Sequence, residues 1–568
     1  MELLDWLVLI GTTLFITLYG IRERQVNTSM ESYLKADNTL PWYTISLSVI
    51  ATQASAITFL SAPGQAYVDG MRFVLFYLGL PLAMIFICIV IIPAFYRLNV
   101  ITAYEFLESR FDLKTRLLTA FFFLVQRGLA AGISIAAPSI VLSVILGWNI
   151  YWVNLLVGGI VIFYTVTGGS QAVSQTQKLQ MITILSGMAI AGYLVVAGLP
   201  AQVSFSDAMW IAGKTDKLNT MDFTFDLDNR YNFWSGIIGG FFLQLAYFGT
   251  DQSQVGRYLG GSHVSQSRLG LLFNGIFKIP MQFSILFIGA MLFVFYQFEQ
   301  PPLFFNEPEI AKIKQSEYAA QYQGLEQEHE QIFKEKKQLA FNLIQAIRGK
   351  NEQSILTAET AFKNKEKEFK QVKENAIALL KKYDVKANTN DANYIFLTFV
   401  TQYLPAGLVG LLITVILAAS MSTTSSELNA LASTTMVDFY KRIIYPNGHK
   451  AHYLWMSQLM TVVWGAVALV FAQLASQLGT LIEAVNILGS LFYGTILGIF
   501  LLAFFFKSVN GKAAFWGAIC GEIVVILIYF KLFGFTVAYL WLNMIGCVVV
   551  IVCGLLLGLV FRALARSV

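Results

Sequence analysis

The chain has 568 residues, 56% hydrophobic and 13% charged, with a net charge of +5 and a mean hydropathy of +0.62. Soluble domains carry about a quarter charged residues, and an aromatic share of 14% exceeds what one soluble core of this length conceals. A soluble enzyme, a disordered chain and a disulfide scaffold are excluded; a multi-span helical membrane protein is indicated, its basic excess belonging to cytoplasmic loops and not to nucleic-acid binding.

In chain order, Met1-Glu-Leu-Leu-Asp5 leads into an apolar run to Tyr19. It has no basic leader and no small-residue cleavage site, so an uncleaved first span is predicted. Length and apolarity mark about thirteen spans. They fall at 4–22, 44–67, 73–96, 116–146, 151–167, 178–200, 232–256, 269–296, 393–438 (long and bent), 453–476, 480–506, 513–532 and 538–562. Lys and Arg concentrate in alternate loops, among them Arg24, Lys35, Arg97, Lys114, Arg257, Lys441 and Lys507. The bias is roughly threefold, which places the N-terminus outside and the C-terminus in the cytoplasm of a cell inner (plasma) membrane. Cys88, Cys520, Cys547 and Cys553 lie in apolar runs, and the histidines have no HExxH-type spacing, so no metal or redox motif is read.

Residues 300–392 interrupt the pattern with a polar stretch of both charge signs, placed outside the membrane on this topology. Tyr318, Tyr322, Leu325, His329, Ile332, Lys336, Leu339 and Leu343 recur at steps of three and four, and Ile355, Phe362, Phe369, Ala376 and Tyr383 every seven. Around Arg348-Gly-Lys-Asn351 these form two arms of about 30–35 residues, an antiparallel coiled-coil hairpin roughly 50 Å long. It is a solvated spacer, a docking surface for an extracytoplasmic partner, or an external lid. Removing 302–390 is expected to leave a folded core.

Four segments carry a resemblance. They are Ser29-Met-Glu-Ser-Tyr-Leu-Lys-Ala-Asp-Asn-Thr-Leu-Pro-Trp42, Ser55-Ala-Ile-Thr-Phe-Leu-Ser61, Gly249-Thr-Asp-Gln-Ser-Gln-Val-Gly-Arg-Tyr-Leu259, and Ala418-Ala-Ser-Met-Ser-Thr-Thr-Ser-Ser-Glu-Leu-Asn429 with Asp438-Phe-Tyr-Lys441. In this order they resemble the sodium:solute symporters. The resemblance implies an all-α leucine-transporter-like fold with inverted repeats of five helices and a binding site at mid-bilayer. It divides the chain into 1–43 (first span and cytoplasmic loop), 44–200 (first repeat), 201–299 (start of the second repeat), the 300–392 hairpin insertion, 393–506 (rest of the second repeat) and 507–568 (two final spans).

The family's sodium site maps onto the carbonyls of Ala51, Ala54 and Ala419 and the hydroxyls of Ser422 and Thr423. Two interrupted segments, near 51–55 and 419–423, would face each other and wrap one Na⁺ in neutral oxygens. Gln177-Lys178 stands where many relatives carry a carboxylate, which argues against a second sodium site. Glu427 and Glu483 are acids of undefined role.

For the solute, Gln53, Thr58, Tyr77 and Leu80 stand at the positions of the galactose-type pocket and do not reproduce it, whereas Ser55, Thr58 and Phe73 resemble the sialic-acid-transporting branch. Arg127, in mid-span, is the candidate partner for a solute carboxylate, or else pairs internally with an acid such as Glu483. Gln244, Tyr247, Lys278 and Asn486 are further pocket candidates. The expected activity is sodium-coupled import of a small organic solute bearing a carboxylate, either a sugar acid such as sialic acid or a monocarboxylate. A neutral sugar or polyol symporter and a transporter-shaped sensor are the rivals; no enzymatic constellation is read.

Overall fold

A computed structural model of the chain describes residues 2–22, 29–34, 40–385, 387–475, 480–532, 534 and 536–566. Arg24, Lys35 and residues 35–39 of the first family-like segment lie outside the described residues. Helices make the architecture: α1 (Leu3–Arg22), α2 (Trp42–Gln53), α3 (Ala56–Asp69), α4 (Met71–Leu98), α5 (Leu113–Leu146), α6 (Ile150–Ala197), α7 (Phe205–Lys214), α8 (Gly240–Thr250) and α9 (Val264–Phe298). They continue as α10 (Ala319–Arg348), α11 (Glu352–Tyr383), α12 (Ala392–Tyr403), α13 (Leu408–Thr434, prolonged by a wider turn to Ile444), α14 (Lys450–Ala475), α15 (Leu481–Phe505), α16 (Gly511–Tyr529) and α17 (Tyr539–Arg566).

Among the described residues, ten helical stretches are long and apolar enough to cross a membrane, and the bent pair α2–α3 makes eleven. Two of the expected spans differ. The 232–256 run breaks at Asp251, whose extended backbone (φ −80°, ψ 120°) and side chain cap a new short helix, Gln252–Tyr258. The span expected over 393–438 is two helices, separated by a turn at Leu404-Pro405-Ala406-Gly407, where proline removes a helical donor and Gly407 takes φ +88°.

Several junctions are fixed by single residues. Asp5 is buried in α1 because its Oδ1 accepts from the backbone N–H groups of Gly407 (2.6 Å) and Gly410 (3.1 Å), tying α1 to the open N-terminus of α13. The kink that separates the two spans of α6 lies at Gly169, with φ 65° and ψ −176°, a conformation open to glycine. Pro63 of α3 and Gly289 of α9 touch so closely that a Cβ on Gly289 would lie 2.1 Å from the Pro63 carbonyl oxygen.

The expected hairpin is present: α10 and α11 pack antiparallel around a turn at 349–351. Near its feet Leu303, Phe304, Tyr322, Val372, Ala376 and Leu380 form a small core of their own. Toward the tip, Ala340, Leu343, Ile344 and Phe362 join the main core of the bundle, and Phe341 packs on Phe298 of α9 at 5.1 Å. The hairpin therefore lies down on the bundle and is not a free spacer. Arg348 at the tip pairs with Asp207 of α7 (2.5 Å), and Lys214 of the same helix pairs with Glu359 (3.0 Å). At the feet, Asp391 accepts from Lys373 (2.7 Å) and from the Phe305 N–H (3.0 Å).

Candidate functional site

The site begins where α2 stops. Ala54 (φ −88°, ψ 73°) donates its N–H to Ile50 at 2.7 Å, Ser55 is extended, and α3 leaves at 57° to α2. A small, polar stretch, Ala51-Thr-Gln-Ala-Ser55, tolerates this break, and the final carbonyls of α2 lose their helical donors. Facing them, α13 presents Ser422 Oγ and Thr423 Oγ1 at 3.4 and 3.3 Å from the Ala51 carbonyl oxygen. Ala51, Ala54 and Ala419 are fully buried and Ser422 and Thr423 nearly so. The two segments predicted to face each other thus do so, with neutral oxygens between them.

One expectation is corrected. Residues 419–423 are not an interruption but part of the continuous helix Leu408–Thr434. The Ser425 and Ser426 hydroxyls bond backwards to the Ser422 carbonyl of their own helix at 3.0 Å, so their polarity does not cost the helix its ladder. Gln177 of α6 completes the wall as a neutral cross-link. Its Oε1 accepts from Ser48, and its Nε2 donates to the Ser422 carbonyl (3.2 Å) and to Ser426 Oγ (3.0 Å).

Beside this junction lies a cavity of about 80 Å³. Gln53, Ser55, Thr58, Arg127, Gln244, Tyr247 and Asn486, all singled out from the sequence, line it, together with Thr423 of the cation-facing group. Phe73 and Lys278 do not. Phe73 stacks behind Phe76 (5.4 Å, 7° between planes), which takes the wall position. The Lys278 ammonium sits 5.6 Å from the ring centre of Tyr77, itself a wall residue, and is buried without a hydrogen-bond partner among the described residues.

Arg127 is the most constrained group of the wall. Its Nε donates to Asp251 Oδ2 (3.1 Å), its Nη1 to Glu427 Oε1 (2.9 Å), and its Nη2 to both Asp251 Oδ2 and the Tyr493 hydroxyl. Tyr493 in turn donates to Asp251 at 2.8 Å, and the guanidinium lies 5.4 Å from the Tyr247 ring centre. The internal partners are therefore Asp251 and Glu427. Glu483 pairs instead with Arg230 (2.8 Å). Neither Asp251 nor Tyr493 is a site candidate by sequence: the first lies inside the expected 232–256 span, and the second is one tyrosine in an apolar helix.

One guanidinium faces two carboxylates, so with both acids ionised this buried cluster carries one negative charge in excess. Glu427 Oε2, Gln53 Oε1 and both amide atoms of Gln244 are buried without partners among the described residues. Such groups are costly in an apolar interior unless an occupant satisfies them.

Comparison with known proteins places this geometry. The sequence model of the Sodium:solute symporter family matches residues 33–322 and 374–521, leaving out most of the hairpin arms. The human sodium/iodide cotransporter is 34% identical over 271 residues, covering 47% of this chain and 41% of that protein. Mouse sodium-coupled monocarboxylate transporter 2 is 25% identical over 504 residues, covering 89% of this chain and 68% of that protein. A Na⁺-coupled sialic acid symporter, solved substrate-bound and outward-open, superposes with a TM-score of 0.74 at 20% identity, covering 98% of both chains. That likeness establishes the leucine-transporter-like fold.

Proposed function

The chain belongs to the sodium:solute symporter family, and we infer from this and from its site that it couples inward Na⁺ movement to uptake of a small carboxylate-bearing solute by alternating access. The observation that carries the reading is the pair of hydroxyls, Ser422 and Thr423, aimed at the Ala51 carbonyl across the α2–α3 break. With the carbonyls of Ala54 and Ala419 they supply a cage of uncharged oxygens suited to one dehydrated Na⁺. The neutral Gln177 in the adjoining wall supports a single sodium site.

Thr423 belongs to the cage and also lines the solute cavity, and Glu427 follows it by one helical turn. An anionic solute entering a cavity already negative by one charge is disfavoured until a cation sits nearby. Na⁺ in the cage supplies that charge, which gives coupling an electrostatic basis. The solute carboxylate then replaces Glu427 on Arg127 Nη1, leaving the Arg127–Asp251 pair in place. Gln53, Ser55, Thr58, Gln244 and Asn486 offer polar contacts to the rest of the solute, Tyr247 and Phe73 shape its surroundings, and Lys278 adds positive potential behind Tyr77. The similarity over most of the chain to a sodium-coupled monocarboxylate transporter favours a compact monocarboxylate over a sugar acid. The unengaged amide of Gln244 favours a small polyol as the second reading.

We read residues 44–200 and the pair 201–299 with 393–506 as the two inverted repeats. The N-terminus and the hairpin lie outside and the C-terminus in the cytoplasm, in the plasma membrane. A membrane potential of 100 mV is worth about 2.3 kcal/mol per charge and a tenfold sodium gradient about 1.4 kcal/mol. A monoanion carried with one Na⁺ feels only the second. The test is uptake of labelled lactate, pyruvate, N-acetylneuraminate and galactose into proteoliposomes with and without a sodium gradient. Sodium-driven accumulation of one solute is expected; saturable binding without accumulation means a sensor and overturns the reading.

A further inference from the structure

Beneath the hairpin lies a second, larger cavity of about 650 Å³. Its floor includes Gln65 and Asp69 of α3, about two and three turns along from Thr58, and Glu483 of α15, about one turn from Asn486. It therefore stands directly over the solute cavity. Its roof is the middle of the hairpin, with Lys336, Glu366, Phe369, Lys370 and Lys373 facing in.

Five basic side chains line this antechamber, and four have a carboxylate within 4 Å. Arg230 pairs with Glu483 (2.8 Å), Lys336 with Glu366 (3.0 Å), Lys370 with Glu366 (3.8 Å) and Lys373 with Asp391 (2.7 Å). Lys217 is the exception. Its side chain is buried, its ammonium donates to the Val68 carbonyl (2.6 Å) and rests over the Phe293 ring (4.5 Å), and no carboxylate lies within 4 Å of it among the described residues. At longer range it feels Lys370 as well as Glu366, Asp69 and Asp216. A buried ammonium retaining unspent donors next to open volume is an anion-binding group.

We propose that Lys217 and the hairpin roof form a staging site that holds the carboxylate of a small organic anion before it descends to the solute cavity. The solute class rests on the function inferred above; the site itself does not depend on sodium. Asp69, whose Oδ2 accepts from Gln65 Nε2, faces the same space and orients the anion toward Lys217 by repulsion. The insertion thus adds a sorting step that the bundle alone would lack.

The experiment uses the full-length purified chain in detergent, in sodium-free choline buffer, with ¹³C-labelled acetate, L-lactate and pyruvate as probes read by saturation-transfer NMR. Wild type is expected to bind at least one probe saturably. Binding should persist in the Ser422→Ala/Thr423→Ala variant and in Lys217→Arg, and weaken at least about tenfold in Lys217→Gln, the ordinary loss for one hydrogen bond to a charged group. Unchanged thermal melting of Lys217→Gln keeps the comparison clean, and Lys381→Gln, on the hairpin's exposed side, should change nothing. Absence of sodium-free binding for all three probes, or equal binding by Lys217→Gln, overturns the proposal. Failure of sodium-driven uptake with sodium-free binding intact would remove the symport reading alone.

Discussion

The Arg127 guanidinium donates through both Nε and Nη2 to a single oxygen of Asp251, while the other oxygen of that carboxylate caps the short helix Gln252–Tyr258 through the Ser253 N–H at 2.8 Å. One acid thus joins α5 to the broken end of α8. Truncating the arginine strands two buried carboxylates, a change that costs about 3–5 kcal/mol. Arg127→Ala should therefore lower the thermal midpoint sharply as well as abolish acid uptake. Glu427→Gln keeps the Arg127–Asp251 pair, so it should fold normally and show a weakened dependence of solute binding on Na⁺. Melting curves and sodium titrations of both variants check this.

Removing both hydroxyls that face the Ala51 carbonyl, in Ser422→Ala with Thr423→Ala, should raise the sodium concentration for half-maximal uptake by about tenfold or more. Unaltered sodium dependence would refute the cage.

The hairpin tip is held by Asp207. Burial pushes its carboxyl up, but bonds from Arg348 and Ser204 outweigh this and hold it below its ordinary value. An acid depressed on docking contributes while ionised, above the usual carboxylate range near pH ~4, and that contribution is lost as pH falls through its depressed value. Hydrogen exchange at residues 343–352 should accelerate in Asp207→Asn at neutral pH, and in wild type only on acidification below that range.

Lys217 gives the opposite pH sign. Burial, together with the neighbouring Lys370, pushes its ammonium down to about 8. It is mostly charged at pH 7 and mostly neutral at pH 9, so sodium-free carboxylate binding should fall roughly tenfold between them. A flat profile would mean that another group holds the anion. His329, pushed down to about 3 by burial and by Lys336 and Lys373, stays neutral throughout and does not confuse the reading.

Much of this was legible in the chain because it depends on local pattern. Apolar length marked the long spans, and the heptads of 318–383 marked a hairpin whose arms are Ala319–Arg348 and Glu352–Tyr383. What escaped depends on pairings distant in sequence. Nothing near Asp5 announces that it caps a helix 400 residues later. Nothing near Asp251 announces an arginine on α5, which is why 232–256 read as one span. The hairpin read as separable because its charges alternate. Leu343, Ile344 and Phe362, however, belong to the bundle's core, so deleting 302–390 should expose apolar surface around Phe298 and reduce expression, instead of leaving the core untouched.

The roof over the antechamber is fastened at both ends, by Arg348 on α7 and by Asp391 at its feet. A cover secured in this way works as a sieve. Because both fastenings would have to break before it could swing aside, the way into the antechamber runs around its edges.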